Sequence, residues 1–321
     1  MPNWNNVLVY ADGRPESELA LAEALRLVES TGGRATVLDV LHSLPGRIPK
    51  GLLAMEQAEL LGLMREQRRE QLEEDVQRLR ISSRVNVHVT HGSPAFELVR
   101  RAVRFRHDLI VKAARGRDVR HMTSFGSTAL HLVRKSPVPV LLMSPNRALL
   151  EAPKIVCAVD LEGDSHQQLN GSLLRAAANL ARVYGAELHI VHVHDAPRAL
   201  MYRAFLSADL FELFRRERQE LLGAQLTELL ATELPGFPSI HAHLLDGDPA
   251  DTIVHFVETE RVSHVVLGSV AHQERGLLLG SLAEDVLTRV DCSVLTLKPA
   301  GFETPIQLDV PASAYQGEHS V

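Results

Sequence analysis

Val265-Val266-Leu267-Gly268-Ser269-Val270-Ala271, followed by Gly280-Ser281 and the run Leu282–Thr288, is the stretch whose reading decides the fold. It reads as a buried strand, a glycine-bearing turn, and a helix opened by Gly-Ser. Backbone amides at such a helix start point outward, and the macrodipole favours an anion there. A near copy lies upstream: Leu109-Ile110-Val111-Lys112-Ala113-Ala114-Arg115-Gly116, then Gly126-Ser127 and Thr128–Arg134. One chain carries two versions of one phosphate-cradle design.

Working outward, the first half begins with an apolar strand, Val7–Asp12, ending in Asp and Gly13. Apolar residues at helical spacing follow from Glu16 to Glu29, and Gly32-Gly33 stops that helix. Ala35–Leu41 is a second strand, and Leu52–Leu79 a long charged helix with a break expected near Gly62. Val85–Thr90 is a third strand, followed by Gly92-Ser93-Pro94, where Pro94 suits the first helical position after a Ser cap. Leu109–Lys112 is strand four. Val138–Met143 is strand five, and Pro139 points to an edge or an unusual pairing. From Ile155 the programme restarts: Ile155–Asp160, Leu188–Val193, Ile240–Leu245 and Val294–Leu297 answer strands one, two, three and five. Two copies about 150 residues apart are a duplication rather than a solenoid. Strands alternating with helices imply a mainly parallel sheet in each half.

The expected boundaries are a first domain over 1–147, a second over 153–299, and a tail over 300–321 read as an arm. The fifth strands, Val140–Met143 and Val294–Leu297, are candidates to pair the halves about a pseudo-twofold axis. The expected assembly is therefore a monomer with an internal pseudo-dimer, with a homodimer as the alternative. At 321 residues and 45% apolar content, two domains can each bury a core. A net charge of −6 and 4% aromatics argue against nucleic acid as a partner. Cys157 and Cys292 lie inside apolar runs and read as buried free thiols, which suits a reducing cytoplasm. The opening residues lack a basic region and an apolar core, and no apolar run approaches the roughly 20 residues that span a bilayer. The expected location is the cytoplasm, with no transmembrane segment.

With these residues in view, the chain resembles the universal stress protein family in its tandem-domain form. That family's signature is G-x-x-G, nine residues, then G-S/T or G-N, after strand four. The first half offers Ala113-x-x-Gly116, nine residues, Gly126-Ser127; the second offers Gly268-x-x-Ala271 and only eight residues before Gly280-Ser281. Asp12 and Asp160 match the Asp that ends the family's first strand and lies near adenosine in nucleotide-binding members. The closing Leu297–Leu308 resembles the end of a tandem-type branch. The resemblance implies two tandem Rossmann-like α/β domains, each a five-stranded parallel sheet of order 3-2-1-4-5 with helices on both faces. It also implies an adenine nucleotide, ATP or AMP, at the carboxyl ends of strands one and four, with a divalent metal accompanying ATP. The switch-point rule for open α/β sheets points to the same crevice.

The candidate nucleotide-binding residues are Asp12, Ala113, Gly116, Gly126 and Ser127 in the first half, and Asp160, Gly268, Ala271, Gly280 and Ser281 in the second. Loop glycines let backbone approach phosphate and tolerate positive φ. The plainer account is that a tight strand-to-helix connection needs glycine anyway, and that each Asp makes an Asx turn. Methyls at Ala113 and Ala271 and the shortened second loop depart from the pattern. Arg115, Arg117 and Arg120 could assist an anion in the first half, and Arg275 in the second. The Walker G-x-x-x-x-G-K-S/T and the nucleophile elbow are both absent from the sequence. No enzyme activity is therefore assigned beyond, at most, weak ATP hydrolysis.

His192 and His194 on one strand, and His241 and His243 on its expected neighbour, could form a metal-binding cluster; packed or solvated histidines are the plainer reading. The stripe containing Met201, Phe205, Leu210, Leu213 and Phe214 either packs on the protein or covers a pocket for a lipid-like ligand. A pseudo-dimeric scaffold binding such a ligand is the alternative function.

Overall fold

The first strand, β1 (Asn6–Tyr10), sends Val7 and Val9 into one apolar layer and Leu8 and Tyr10 into another. A period of two with both faces apolar marks a strand covered by helices on each side. The computed structural model describes residues 4–41, 57–79, 84–114, 125–144, 152–162, 167–195, 207–269 and 281–308. In the first half, β1 is followed by α1 (Pro15–Thr31), β2 (Arg34–Leu41), α2 (Gln57–Arg78) and β3 (Arg84–His91). Then come α3 (Pro94–Arg104), β4 (Leu109–Ala113), α4 (Gly126–Lys135) and β5 (Val140–Met143). The second half repeats this as β6 (Lys154–Ala158), α5 (Gln167–Tyr184), β7 (Glu187–Asp195), α6 (Ala208–Glu233) and β8 (Ile240–Gly247). It ends with α7 (Pro249–Thr259), β9 (His264–Gly268), α8 (Ser281–Arg289) and β10 (Ser293–Leu297).

Each half has the expected parallel order 3-2-1-4-5, and the two merge into a single ten-stranded sheet, β3-β2-β1-β4-β5-β10-β9-β6-β7-β8. The join is antiparallel, with Val294, Leu295 and Thr296 opposite Leu142, Leu141 and Val140. Pro139 sits just before β5, which lies mid-sheet, so the unusual pairing is the one realised. Both apolar layers continue through the join: Leu141 and Leu295 belong to one, Leu142 and Val294 to the other, and all four are fully buried. Burying a side chain of that size is worth about 1.5–3 kcal/mol. The half-exposed Arg134–Glu284 ion pair across the same join adds at most about 1 kcal/mol. Apolar packing holds the halves together.

Helices α1, α2, α5 and α6 cover one face of the sheet, and α3, α4, α7 and α8 the other. Gly32 closes α1 in the left-handed region at φ 66°. Ser93 precedes Pro94 as expected but makes no side-chain cap bond, whereas Asp248 caps α7 by accepting from the Asp251 amide. α2 runs unbroken through Gly62, where the sequence suggested a break. The closing segment is no free arm over its described part: Ile306 is buried, and Arg100 of α3 donates to the Gln307 carbonyl at 2.9 Å. Cys157 and Cys292 are buried free thiols. On α6, Leu222 and Leu226 are buried while Leu210, Leu213 and Phe214 are exposed, and Met201 and Phe205 lie outside the described residues. Among the described residues no helix is long and apolar enough to cross a membrane.

Candidate functional site

In the first half a crevice of about 410 Å³ opens at the carboxyl ends of β1 and β2, beside the point where strand order reverses between β1 and β4. Asp12, Gly13 and Arg14 form one wall, Asp39, Val40 and Leu41 another, and Arg68, Pro94 and Thr128 close it. Asp12 makes the Asx turn of the plainer reading: its Oδ1 accepts from the Arg14 amide and from Ser17 Oγ. Its Oδ2 lies 3.7 Å from Arg14 Nε, beyond hydrogen-bond length. Ala113 ends β4 and lines a narrower recess beneath Asp12, together with Tyr10, Ser17 and Lys112. Gly126 opens α4 at φ 72°, a conformation glycine adopts without strain, and exposed Ser127 follows it. The helix start therefore stands beside the crevice through Thr128. Gly116 and Arg115, Arg117 and Arg120 lie outside the described residues.

A cation from α2 enters this crevice. Arg68 Nε donates to Asp39 Oδ2 at 2.6 Å and its Nη2 to the Ala11 carbonyl at 3.2 Å. A Cβ on Gly13 would stand 2.9 Å from that guanidinium, so the Gly at this turn (φ 75°) makes room for it. Burial pushes the Asp39 carboxyl above its ordinary pKa, against the opposing pull of Arg68. Burial, then the charges of Asp12 and Asp39, likewise raises the Tyr10 phenol. Buried Lys112 donates to the Ala113 carbonyl at 2.7 Å and sits 5.8 Å from the Tyr10 ring centre.

The second mouth is built differently. Exposed Asp160 accepts from the Glu162 amide at 2.9 Å, again an Asx turn, while Asn170 of α5 holds the Asp160 backbone from both sides. Glu162 takes hydrogen bonds from Arg218 of α6 and His194 of β7, both at 2.6 Å. Gly268 packs closely on α5: a Cβ there would lie 2.7 Å from Leu169 Cδ2. Ser281 opens α8, and Ala271, Arg275 and Gly280 lie outside the described residues.

The universal stress protein family model matches residues 3–144 and 152–298. The chain belongs to the universal stress protein family. Universal stress protein E of Salmonella typhi is 26% identical over 324 residues, covering 96% of this chain and 99% of that one. A crystal structure of a functionally unknown protein from Pseudomonas aeruginosa PAO1 superposes with a TM-score of 0.66 at 20% identity, over 93% of this chain and 94% of that one. A universal stress protein from Archaeoglobus fulgidus DSM 4304 gives 0.61 at 20% identity, over 94% and 98%. These solved structures share the fold.

In this universal stress protein the expected histidine cluster is not the one that forms. His192 and His194 point to the face of Leu188 and Ile190, whereas the register sets His241 opposite His189 and His243 opposite Val191. The residues brought together are His189, His241 and His243, stacked with ring centres 4.8 and 5.2 Å from His189. His189 carried the same alternation signal, but the choice between the two strand faces depends on register. Arg68, Asp39 and Lys112 were also missed. For Asp39 and Lys112 a signal existed, a lone charge inside an apolar strand; for Arg68, one cation on a helix rich in them, there was none.

Proposed function

We propose that this universal stress protein binds an adenine nucleotide, ATP or AMP, in the first-half crevice, and that binding shifts a conformational or partner-binding equilibrium in the cytoplasm. The observation that carries the reading is a crevice of about 410 Å³ with a strand-end carboxylate on one side and the start of α4 on the other. That volume falls within the roughly 300–1,000 Å³ usual for small-molecule sites. Asp12 Oδ2 is suited to accept a ribose hydroxyl, since Oδ1 already takes the turn bonds. Phosphates would meet the Gly126–Thr128 amides, aided by the helix dipole and by Arg14, whose side chain is 49% exposed. Arg68 supplies a second cation without Walker-type lysine chemistry. A divalent ion would travel with ATP as its counter-charge. The domain division proposed is 1–147 and 153–299, with the residues beyond as a tail.

The test is calorimetry of the full chain with ATP, ADP and AMP, with and without magnesium. One site per chain is expected, weakened at least tenfold by Asp12→Asn. No heat and no thermal shift with any of the three nucleotides would end this reading.

A further inference from the structure

We propose that Glu187, His189 and His241 bind a divalent transition-metal ion of the zinc class at the outer edge of the second half, with His243 orienting His189. One candidate ligand atom from each of the three lies within 4.8 Å of the others. Glu187 and His189 are two positions apart on β7 and so share a face; His241 is the register partner of His189 on β8, the last strand of the sheet. All three stand near the amino ends of β7 and β8, away from the strand ends that frame the nucleotide crevice.

The second observation is an orphaned nitrogen. His189 is 6% exposed, and its Nε2 is buried without a hydrogen-bond partner; the nearest anionic atom, Glu187 Oε2, stands at 3.6 Å. Its other nitrogen, Nδ1, is 3.0 Å from His243 Nε2. With Nδ1–H donating to His243, Nε2 carries an unshared pair aimed at Glu187. That is the tautomer a metal-binding imidazole adopts when an outer partner takes its second nitrogen. Leaving a buried polar nitrogen unsatisfied is unfavourable, and coordination to an ion removes the defect. Phe256 of α7 packs edge-on against both His189 and His243, which limits ring rotation.

Bonds of about 2.0–2.2 Å to zinc set tetrahedral ligand atoms roughly 3.4 Å apart. Glu187 and His241 are exposed, so both can swing inward while His189 stays in place. Two imidazoles and one carboxylate favour zinc, cobalt, nickel or copper over magnesium or calcium. Three protein ligands on an edge strand leave a fourth position toward solvent. Lys154 does not oppose the ion strongly, because Glu260 neutralises it at 2.6 Å.

The experiment uses the untagged full chain, stripped with a chelator, and titrates zinc against a chromogenic competitor and cobalt by visible absorption. One zinc per chain and the intense visible bands of four-coordinate cobalt are expected. Glu187→Gln and His241→Gln should each weaken binding at least tenfold, and His243→Gln by about tenfold through loss of the orienting contact. His131→Gln, at an exposed histidine on α4, should change nothing. Absence of stoichiometric zinc binding, or unchanged binding in Glu187→Gln and His241→Gln, overturns the proposal. A loss with His131→Gln equal to theirs does the same. Both exposed variants decide the matter even if His189→Gln does not fold.

Discussion

Tyr184 Oη donates a 2.6 Å hydrogen bond to Glu23 Oε2, tying α5 of the second half to α1 of the first. Arg26 lies 5.0 Å from the Tyr184 ring centre, and His264 stacks on the ring at 4.6 Å. Glu23 is 8% exposed, so its carboxylate depends on this donor. Tyr184→Phe keeps the ring contacts and removes only the hydroxyl. A loss of about 1.5–3 kcal/mol is expected, as for other hydrogen bonds to charged groups. Urea unfolding measures it, and a change under about 0.5 kcal/mol would show that the contact contributes little.

Arg68→Gln should destabilise the protein by about 3–5 kcal/mol, because it strands a carboxylate whose side chain is only 7% exposed. The effect has a pH signature. An acid whose folded pKa is raised loses its stabilising contribution as pH climbs from its unfolded value, about 3.9, through the folded one. Without Arg68 the folded value for Asp39 moves higher still, so the deficit should be larger at pH 8 than at pH 5. Adding Asp39→Asn should recover part of it at pH 8. Equal deficits at both pH values would show that the charge on Asp39 is not the cause.

Gly268→Ala separates packing from ligand binding in the second-half glycine motif. The added methyl meets Leu169 Cδ2 at 2.7 Å, and Leu169 is itself buried in the core. A cost of about 1–3 kcal/mol is expected from overpacking. The loss of melting temperature should be the same with and without ATP. A variant as stable as wild type but weaker for nucleotide would assign the glycine to binding instead.

Strand and helix identities were legible because each half alternates short β-branched runs with amphipathic stretches; Val7–Tyr10 and Ile155–Cys157 announce themselves. The join between halves was legible too, since Val140–Met143 is wholly apolar, Val294–Leu297 is apolar but for Thr296, and both need cover on each face. What could not be read was register and long-range pairing. His189 and His192 alternate on the same strand, and only the alignment of β7 with β8 decides which meets His241 and His243. Arg68 reaches Asp39 from 29 positions away through one torsional choice among many. Gly62 looked like a break because glycine disfavours helix by about 1 kcal/mol, a cost α2 absorbs with its remaining turns.

Two buried histidines make stability fall in mild acid. Burial lowers His107 and His264 from 6.5 to about 4 in the folded chain. Between those values the unfolded chain binds protons that the folded chain does not, so stability present above pH 6.5 is lost as pH drops toward 4. Each site steepens the fall by up to about 1.4 kcal/mol per pH unit within that window. His107→Gln and His264→Gln should each flatten the profile between pH 6.5 and 4.5, measured by urea unfolding at several pH values. Slopes identical to wild type would show that both rings protonate without unfolding.

The antiparallel meeting of β5 and β10 has an evolutionary corollary. Two separate copies joined in that way would have to share every substitution, so neither mouth could change without its twin. A covalent tandem lifts that constraint while making association independent of concentration. Arg68 with Asp39 at one mouth, and Glu162 with His194 and Arg218 at the other, are the divergence this freedom permits.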